Sequence, residues 1–445
     1  MNRILKSALA AFLWAFAGQA VSADLMQVLR DALANDAQYA SARAARDAGL
    51  EVLPQGRAGL LPTISASASA QYSDLDIDFR GALPSSSRSG TSNAITFSLT
   101  QPLFNRNNQM LYEEASFKAA QVQAVFGQAT QDLIVRVAQG YFDVLASQDS
   151  LAFIQAQKKA ISEQLAQAKR NFEVGTATIT DTHEAQARYD LAASQEIAAQ
   201  NDLEIKKRAL QQTVGKFPER LVPLKPSVTI NLPRPATMEE WASAAEARSY
   251  PVQAQQAALE LAVREIERIR AGHLPTLNLV GSLGRNSQNV SSSGATNTPT
   301  DSTSMVVGLQ LAIPIYSGGN VSSQVRQAVA SREKAQQDLE FSRRAAALSA
   351  RQAFLGVTNG VAQVKALEAA LISSQSALES NKLGYEVGVR INIDVLNAQQ
   401  QVFSTKRDLS KARYDAIVNG LKLEAAAGSL SDADIADINR MLASD

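Results

Sequence analysis

Apolar and polar residues alternate along four stretches of the chain, and this period of two predicts β-strands with unlike faces. In the first half the apolar positions run from Ile64 to Tyr72 and from Ile95 to Leu103, with serine, threonine and glutamine between them. In the second half they run from Leu277 to Leu283 and from Met305 to Ile315. Each half of the chain therefore contains one predicted β-hairpin.

The predicted hairpin connections are polar and low in complexity, which favours solvated, flexible loops at Pro84–Asn93 and Asn286–Ser304. Two interpretations of the hairpins are open at this point. They form the edge of a soluble β-sandwich, or their apolar faces contact lipid, as do the alternating strands of about 10 residues in outer-membrane barrels. Because the smallest such barrels have about 8 strands, the second interpretation requires an oligomer.

A proline lies at each predicted passage between a strand and a helix. These residues are Pro62, Pro102, Pro275 and Pro314. Proline fixes φ and lacks a backbone N–H, so it suits a position where one hydrogen-bond ladder ends and another begins. We expect these four residues to be structural hinges.

Two proline-free stretches rich in alanine, glutamine, glutamate and lysine predict very long helices. They cover Asn105–Phe172 and Asn320–Tyr385, and each would be about 100 Å long at the α-helical rise. Apolar residues near the end of each stretch follow a heptad pattern, which predicts coiled coils. The heptad positions are Leu151, Ile154, Ile161, Leu165, Ala168 and Phe172 in the first stretch, and Val364, Leu367, Leu371, Ser374, Leu378 and Tyr385 in the second.

Each long helix is followed by a glycine turn, at Gly175 or Gly388, and then by a returning helix of about 35 residues. The returning helices have only half the length of the long ones. The segments 24–58 and 238–271 have the missing length, so we expect each half to hold one long helix and two short, stacked ones.

The two halves are copies of each other. An offset of 213 residues separates Phe172-Glu173-Val174-Gly175 from Tyr385-Glu386-Val387-Gly388, and the same offset separates Pro62 from Pro275. A period this long is unlike that of a solenoid repeat, and it indicates two halves of one architecture.

The predicted segments are, in chain order, a signal peptide (1–23), a half-length helix (24–61), a β-hairpin (62–104), a long helix with tip and returning helix (105–213), a proline-rich equatorial segment (214–237), a second half-length helix (238–274), a second β-hairpin (275–316), a second long helix with tip and returning helix (317–428) and a C-terminal tail (429–445).

The first residues predict an export signal. Arg3 and Lys6 form a basic start, Ala8–Ala17 is an apolar run, and Val21-Ser22-Ala23 is a small-residue cleavage site before Asp24. The alternative, a membrane anchor, needs about 20 apolar residues, and this run is shorter.

The composition excludes several classes of function. The chain has no cysteine, which excludes disulfides, thiolate metal sites, a cysteine nucleophile and a lipidated amino terminus. Its 43 basic residues balance 43 acidic ones, so a nucleic-acid partner is not expected. With only His183 and His273, and with no phosphate loop or nucleophile elbow, we expect neither an enzyme nor a metal or cofactor site.

Several motifs, in order, resemble signatures of the TolC family of outer-membrane channel-tunnels, and the resemblance covers almost the whole chain after residue 23. The motifs are Asp24–Val28, Gly272–Leu277, Pro314–Gly319, and Tyr385–Gly388 followed by Ile393–Leu396. The resemblance implies a mixed α and β membrane protein, a homotrimer with a 12-stranded β-barrel in outer-membrane lipid and an α-helical barrel with coiled-coil tips in the periplasm. It also implies an exit duct for efflux or type I secretion, served by a periplasmic adaptor and an inner-membrane transporter of the ABC or RND type. A periplasmic coiled-coil scaffold without a pore is the alternative, although it leaves the four strands unexplained.

The resemblance also implies a gate at the periplasmic tips, formed by Thr180, Asp181, Tyr385 and Arg390. An arginine can bind a carboxylate with two charge-assisted bonds, and a tyrosine hydroxyl can add a third. The alternative for Asp181 is that it caps the returning helix, with Glu184 completing a capping box. Both roles can hold together.

The resemblance further implies acidic rings at the constriction, with Asp394 at one ring position. Asn397 stands where a second aspartate is typical, and its equivalent in the first repeat is Glu184. The hypothesis is that Glu184 restores part of the missing negative charge. Gly175 and Gly388 are expected to take positive φ at the turns, and the resemblance implies that they also contact the adaptor.

Overall fold

The computed structural model describes residues 23–81, 85–218, 220–226, 228–292 and 295–443. The predicted signal peptide lies outside this range except for Ala23. The described helices are α1 (Leu25–Asn35), α2 (Ala37–Leu50), α3 (Val52–Ala58), α4 (Arg106–Glu173), α5 (Ile179–Val214), α6 (Met238–Arg248), α7 (Tyr250–Arg270), α8 (Asn320–Glu386), α9 (Asn392–Ala427) and α10 (Asp432–Met441). The strands are β1 (Thr63–Ile77), β2 (Ser86–Phe104), β3 (Thr276–Ser292) and β4 (Ala295–Ala312).

The chain divides into two compact units. One comprises the residues up to Ala45, Ala124–Gln253 and the residues from Phe341 onward; the other comprises Arg46–Gln123 and Ala254–Glu340. The second unit contains the whole sheet, whose strands lie in the order β1-β2-β3-β4 and are antiparallel throughout.

The register of the sheet separates an apolar face from a polar one, because residues paired across antiparallel strands share a face. Phe97 pairs with Leu283, which in turn pairs with Met305. One position along, Ser98 pairs with Ser282. The alternation read from the sequence therefore becomes a continuous apolar stripe across β2, β3 and β4.

The predicted loops were wrong in extent. Most of Asn286–Ser304 is strand, since β3 continues to Ser292 and β4 begins at Ala295; likewise β2 begins at Ser86, within the predicted loop Pro84–Asn93. Ladder hydrogen bonds join backbone groups and need no apolar side chains. Where serine, threonine and asparagine occupy both faces, the alternation that reveals a strand disappears.

Pro102 does not mark the end of its strand, in contrast to the prediction. β2 continues to Phe104, and the pairing with β3 shifts between Pro102 and Phe104. Pro102 pairs with Asn278 and the register skips Leu103, so the proline lies directly beside a bulge, a position where a sheet tolerates the missing N–H. Pro62 and Pro275 each lie one residue before a strand, and Pro314 follows β4.

The predicted long helices are confirmed. α4 has 68 residues and α8 has 67, so each is about 100 Å long. The returning helices α5 and α9 have 36 residues each and end at Gly215 and Gly428, both with positive φ. Among the described residues, no helix combines the length and the apolar character needed to cross a membrane.

The short helices break at equivalent positions of the two repeats. Asp36 ends α1 and Ser249 ends α6, again 213 residues apart. The Asp36 side chain accepts a bond from the backbone N of Tyr39 and pairs with Arg136 at 3.0 Å. The first half-length segment has one more break, at Glu51, and is therefore three helices.

The main core of the first unit surrounds Tyr141 and Phe142, both fully buried. The Tyr141 hydroxyl donates to the Val222 carbonyl at 2.7 Å, which fixes the equatorial segment to α4. The tail joins the same core, because Ala443 N donates to the Pro223 carbonyl at 2.8 Å. The equatorial segment and the C-terminal tail therefore pack together.

Candidate functional site

Both helical tips turn on a glycine with the same geometry. Gly175 has a φ of 77° and Gly388 a φ of 78°, as predicted for left-handed turn residues. Gly175 N donates to the Phe172 carbonyl at 3.0 Å, and Gly388 N donates to the Tyr385 carbonyl at 3.1 Å. Apart from the two adjoining residues, no heavy atom of the described part of the chain lies within 4 Å of the Cβ that either glycine lacks. Both turns are therefore open to contact from outside the chain.

At the first tip, Asp181 belongs to a capping box, but in a different register from the predicted one. Thr178 is the N-cap, and its side chain accepts from Asp181 N at 3.2 Å while its own N donates to Asp181 Oδ2 at 2.9 Å. Because α5 begins at Ile179, Asp181 is the third helical residue and Glu184 does not complete the box. Thr180 lies beside it, exposed.

The Thr178 hydroxyl also donates to Asp181 Oδ2, at 2.7 Å. Both bonds to the Asp181 carboxylate therefore fall on one oxygen. The other oxygen is available to a donor from elsewhere, so capping and a gate contact are compatible.

Tyr385 connects the two tips of one chain. Its hydroxyl accepts from Asn171 Nδ2 at 3.2 Å, so α4 and α8 are joined close to both turns. Arg390 lies against the same helix, since the Cβ that Gly384 lacks would lie 2.7 Å from Arg390 Cγ. Sequence reasoning missed both Asn171 and Gly384.

Arg390 forms an ion pair with Asp394, Nη1 to Oδ2 at 3.6 Å. The two residues are four apart, one before and one within the first turn of α9, where a carboxylate also favours the helix dipole. Within one chain, three of the four predicted gate residues therefore have separate partners: Asp181 with Thr178, Tyr385 with Asn171, and Arg390 with Asp394. The structure does not bring them into one network inside a protomer.

A polar groove of about 340 Å³ lies beside Asp394, between α8 and α9. Its lining includes Ser374, Asn381, Arg390, Asp394, Asn397 and Gln401. The predicted constriction residue thus faces amides, a hydroxyl and one guanidinium.

Arg188 is a site residue that the sequence did not reveal. Its Nη2 donates to Asn397 Oδ1 at 2.8 Å and its Nη1 donates to Gln400 Oε1 at 2.7 Å, which joins α5 to α9. Asn397 therefore contacts a cation, while Glu184 is half-buried on the same face of α5 as Arg188, one turn earlier. The only available signal was a basic residue two turns beyond Asp181.

Apolar packing supports this contact between α5 and α9. Leu396 is 3 % exposed and belongs to a cluster with Ala185 and Ala192, both fully buried. The small alanine side chains allow the helices to approach closely, and Arg188 and Asn397 flank the cluster.

A charged cluster in the second unit joins α4 to α7. Arg268 Nε donates to Glu265 Oε2 at 2.6 Å and lies 3.4 Å from Glu114 Oε1, so one guanidinium serves two carboxylates. Burial and the nearby charge of Glu265 raise the pKa of Glu114 to about 7, against the lowering effect of Arg268. In the described part of the chain, no three acidic, histidine or cysteine side chains are placed to hold a metal ion.

The chain matches a family model described as outer membrane efflux protein, over residues 28–216 and again over 241–429. The two matches are separated by the 213-residue offset of the repeat. The family model therefore describes one half of this chain, and the chain contains it twice.

Curated relatives match along nearly their full length. Outer membrane protein TolC of Vibrio cholerae is 32 % identical over 440 residues, which cover 99 % of this chain and 98 % of that protein. Proteases secretion protein PrtF of Dickeya chrysanthemi is 32 % identical, over 94 % of this chain and 91 % of that protein. Alkaline protease secretion protein AprF of Pseudomonas aeruginosa is also 32 % identical, over 98 % and 90 %.

Solved structures share the fold at lower identity. The CmeC outer membrane channel of Campylobacter jejuni superposes with a TM-score of 0.77 at 17 % identity, over 94 % of this chain and 90 % of that one. The open state of the MtrE outer membrane channel of Neisseria gonorrhoeae gives 0.70 at 19 % identity, over 92 % and 91 %.

Proposed function

The chain belongs to the outer membrane efflux protein family, and from this membership we propose that it is the outer-membrane exit duct of an efflux or type I secretion system. Substrates enter from an inner-membrane transporter at the periplasmic tips and leave through the outer membrane. The observation that carries this proposal is the sheet, which has one apolar and one polar face in a protein of the outer membrane.

The apolar stripe suits lipid and the opposite face suits water. Leu283 and Met305 are 50 % and 77 % exposed, which a soluble domain would avoid for a paired apolar stripe. The facing serines and threonines suit an aqueous lumen, the usual pattern of transmembrane barrels.

Closure of the barrel requires further copies of the chain. β1 and β4 each have one unpaired edge in the four-stranded sheet, and unpaired backbone groups are not tolerated in lipid. Three copies supply twelve strands and remove all edges. The homotrimer also gives a partner to Phe341, Leu348 and Leu355, three exposed apolar residues of α8 at heptad spacing.

The partners at the inner end are a periplasmic adaptor and a transporter of the ABC or RND type. The open turns at Gly175 and Gly388 favour adaptor contact, since exposed Val174 and Val387 adjoin them. The matching family model is named for efflux, whereas the relatives PrtF and AprF are named for protease secretion, so both transporter types are compatible with this chain.

The gate is proposed to form between protomers. In this proposal Arg390 of one copy binds the second carboxylate oxygen of Asp181 in the next copy, with Thr180 beside them, while Tyr385 joins the tips of one copy. Asp394 and Glu184 give the constriction its negative charge.

The test is fractionation of cells that express the chain, followed by gel electrophoresis with and without heating. A duct is expected in the outer membrane as a heat-modifiable trimer. A soluble, elongated oligomer in the periplasm would favour the alternative, a coiled-coil scaffold, which gives the exposed stripe no role.

A further inference from the structure

The register of the sheet assigns each of its charged residues to one face. Residues two apart on a strand share a face, and so do residues that pair across antiparallel strands. The face of a charged residue therefore follows from its separation from a residue whose face is known. The charged residues of the described strands are Asp74 and Asp76 in β1, Arg88 in β2, Arg285 in β3 and Asp301 in β4.

The charges of β3 and β4 lie on the apolar face of the sheet. Arg285 is two residues from Leu283, and Asp301 is four residues from Met305. The Arg285 guanidinium lies 3.5 Å from the Asp301 carboxylate, so these two charges form a pair. Both lie toward the end of the sheet that is distant from the helices, beyond the apolar stripe.

The two aspartates of β1 also belong to the apolar face. Ala66 pairs with Phe97, which is part of the apolar stripe. Asp74 and Asp76 are each an even number of residues from Ala66, and the pairing of β1 with β2 has no shift between them. Four of the five charges are therefore directed away from the polar face.

Arg88 is the exception. It is ten residues from Ser98, which pairs with Ser282 on the polar face, and the register of β2 is continuous between the two positions. β2 runs from Ser86 to Phe104, where it leads into the helices, so Arg88 lies at the opposite end of the sheet. Its side chain is exposed and has no hydrogen-bond or ion-pair partner among the described residues.

The neighbours of Arg88 on the polar face are apolar. Leu75 pairs with Arg88 directly. Val290 pairs with Gly90, the next residue of β2 on this face. A Cβ at Gly90 would lie 2.7 Å from Val290 Cα, so Val290 is held close to β2, one row from the arginine. These aliphatic side chains offer the guanidinium neither a charge nor an acceptor, which leaves it available to a solute.

Closure of the barrel would bring three such guanidinium groups into one lumen. Twelve strands about 4.8 Å apart and tilted by about 40° enclose a barrel with a backbone radius of about 12 Å. The long arginine side chain spans part of that radius. The remaining distance to the axis is shorter than the Debye length of about 10 Å at 0.1 M salt, so the field of the ring covers the whole opening.

We propose that Arg88 of the three copies forms a positive ring at the extracellular mouth of the duct, which binds multivalent anions such as condensed phosphates. This inference rests on the proposed function, because only a closed trimeric barrel makes the polar face a lumen. Each guanidinium presents a planar fork of donors that suits phosphate oxygens. The ring gives the outer end of the duct the opposite charge to the acidic periplasmic constriction.

The first test is block of single-channel current by inorganic tripolyphosphate, added to purified trimers in planar bilayers in about 0.1 M KCl. The native channel is expected to be blocked reversibly. Arg88→Ser should weaken the apparent affinity at least about tenfold, the loss expected when one charge-assisted hydrogen bond disappears. Arg285→Ser is the matched control, because it removes an arginine of the same sheet from the outer face, and its block should equal that of the native channel.

Three results would overturn the proposal. The native channel is not blocked, Arg88→Ser is blocked as strongly as the native channel, or Arg285→Ser loses as much affinity as Arg88→Ser. Absence of any channel from the native chain would instead contradict the proposed function, so the two failures are distinct.

The second test changes the charge after the channel has folded. The chain has no cysteine, so Arg88→Cys provides a single thiol that charged methanethiosulfonate reagents can modify. A trimethylammonium reagent should restore the block by tripolyphosphate, whereas a sulfonate reagent should not. The same reagents on Arg285→Cys should leave the block unchanged. Complete labelling of Arg88→Cys by the cationic reagent, shown by mass spectrometry, without recovery of the block would refute the positive ring.

Discussion

The Tyr385 hydroxyl accepts a hydrogen bond from Asn171 Nδ2 at 3.2 Å, across 214 residues of sequence. This bond joins the two helical tips of a protomer beside the turns at Gly175 and Gly388. A neutral hydrogen bond contributes about 1 kcal/mol, so the tips are held by a contact that a partner protein can break.

Removal of the gate contacts should open the entrance. We predict that Tyr385→Phe with Arg390→Ser raises single-channel conductance in planar bilayers, because the bond to Asn171 and the cation of Arg390 are both lost. Arg208→Ser with Tyr72→Phe is the matched control, since the Arg208 side chain is 73 % exposed on α5 and Tyr72 is exposed on β1. An unchanged conductance in the gate variant would remove these residues from the gate.

The charge of the constriction is tested by trivalent cations. Asp394→Ala and Glu184→Gln should each weaken the block of conductance, because each removes one carboxylate per protomer from a ring of three. Asn397→Asp should strengthen it, by adding a carboxylate beside Arg188. A block that is the same in Glu184→Gln as in the native chain would refute compensation by Glu184.

The pH dependence of stability should reflect Glu114. Its raised pKa, about 7, means that the folded chain keeps a proton that the unfolded chain has lost above its ordinary value of 4.5. Stability is therefore fully present below that ordinary value and is lost as pH rises through 7, by at most about 3 kcal/mol per protomer. The midpoint temperature of thermal unfolding should therefore decrease as the pH rises from 5 to 8.

Glu114→Gln should flatten this dependence and raise the midpoint at pH 8. Glu113→Gln is the control, because Glu113 is adjacent on α4 but its side chain is 41 % exposed. Equal slopes in Glu114→Gln and the native chain would show that another group titrates.

The two faces of the sheet should respond differently to charge. Leu283→Lys places an ammonium on the lipid side and should cost about 2–4 kcal/mol near the membrane centre, which reduces the yield of outer-membrane trimers. Ser282→Lys, the neighbouring position on the lumenal side, should preserve the yield. Similar yields for both variants would contradict the assignment of the faces.

Strands and helices were predicted correctly where the pattern of neighbouring residues determines them. The alternation at Ile95–Leu103 and the proline-free stretch at Asn320–Tyr385 were sufficient for a strand and a long helix. The outer part of β3 was missed because its polar side chains hide the period, although its backbone pairs in register with β2 and β4.

Contacts between distant segments were not predictable in the same way. Asp181 was expected at a cap, but the register of α5 depends on Thr178, one turn earlier. Arg188 reaches Asn397 across 209 residues, and no single-sequence period reports which side chains meet at such a separation. The repeat identifies only which positions of the two halves are equivalent, and the contacts themselves come from the structure.

Single-channel recording of the purified outer-membrane complex in planar bilayers tests the central claim most directly. A trimeric duct predicts discrete, long-lived conductance steps that increase in the variant with Tyr385→Phe and Arg390→Ser. Complexes that extract from the outer membrane as trimers but give no conductance steps, in the native form and in the gate variant alike, would contradict it.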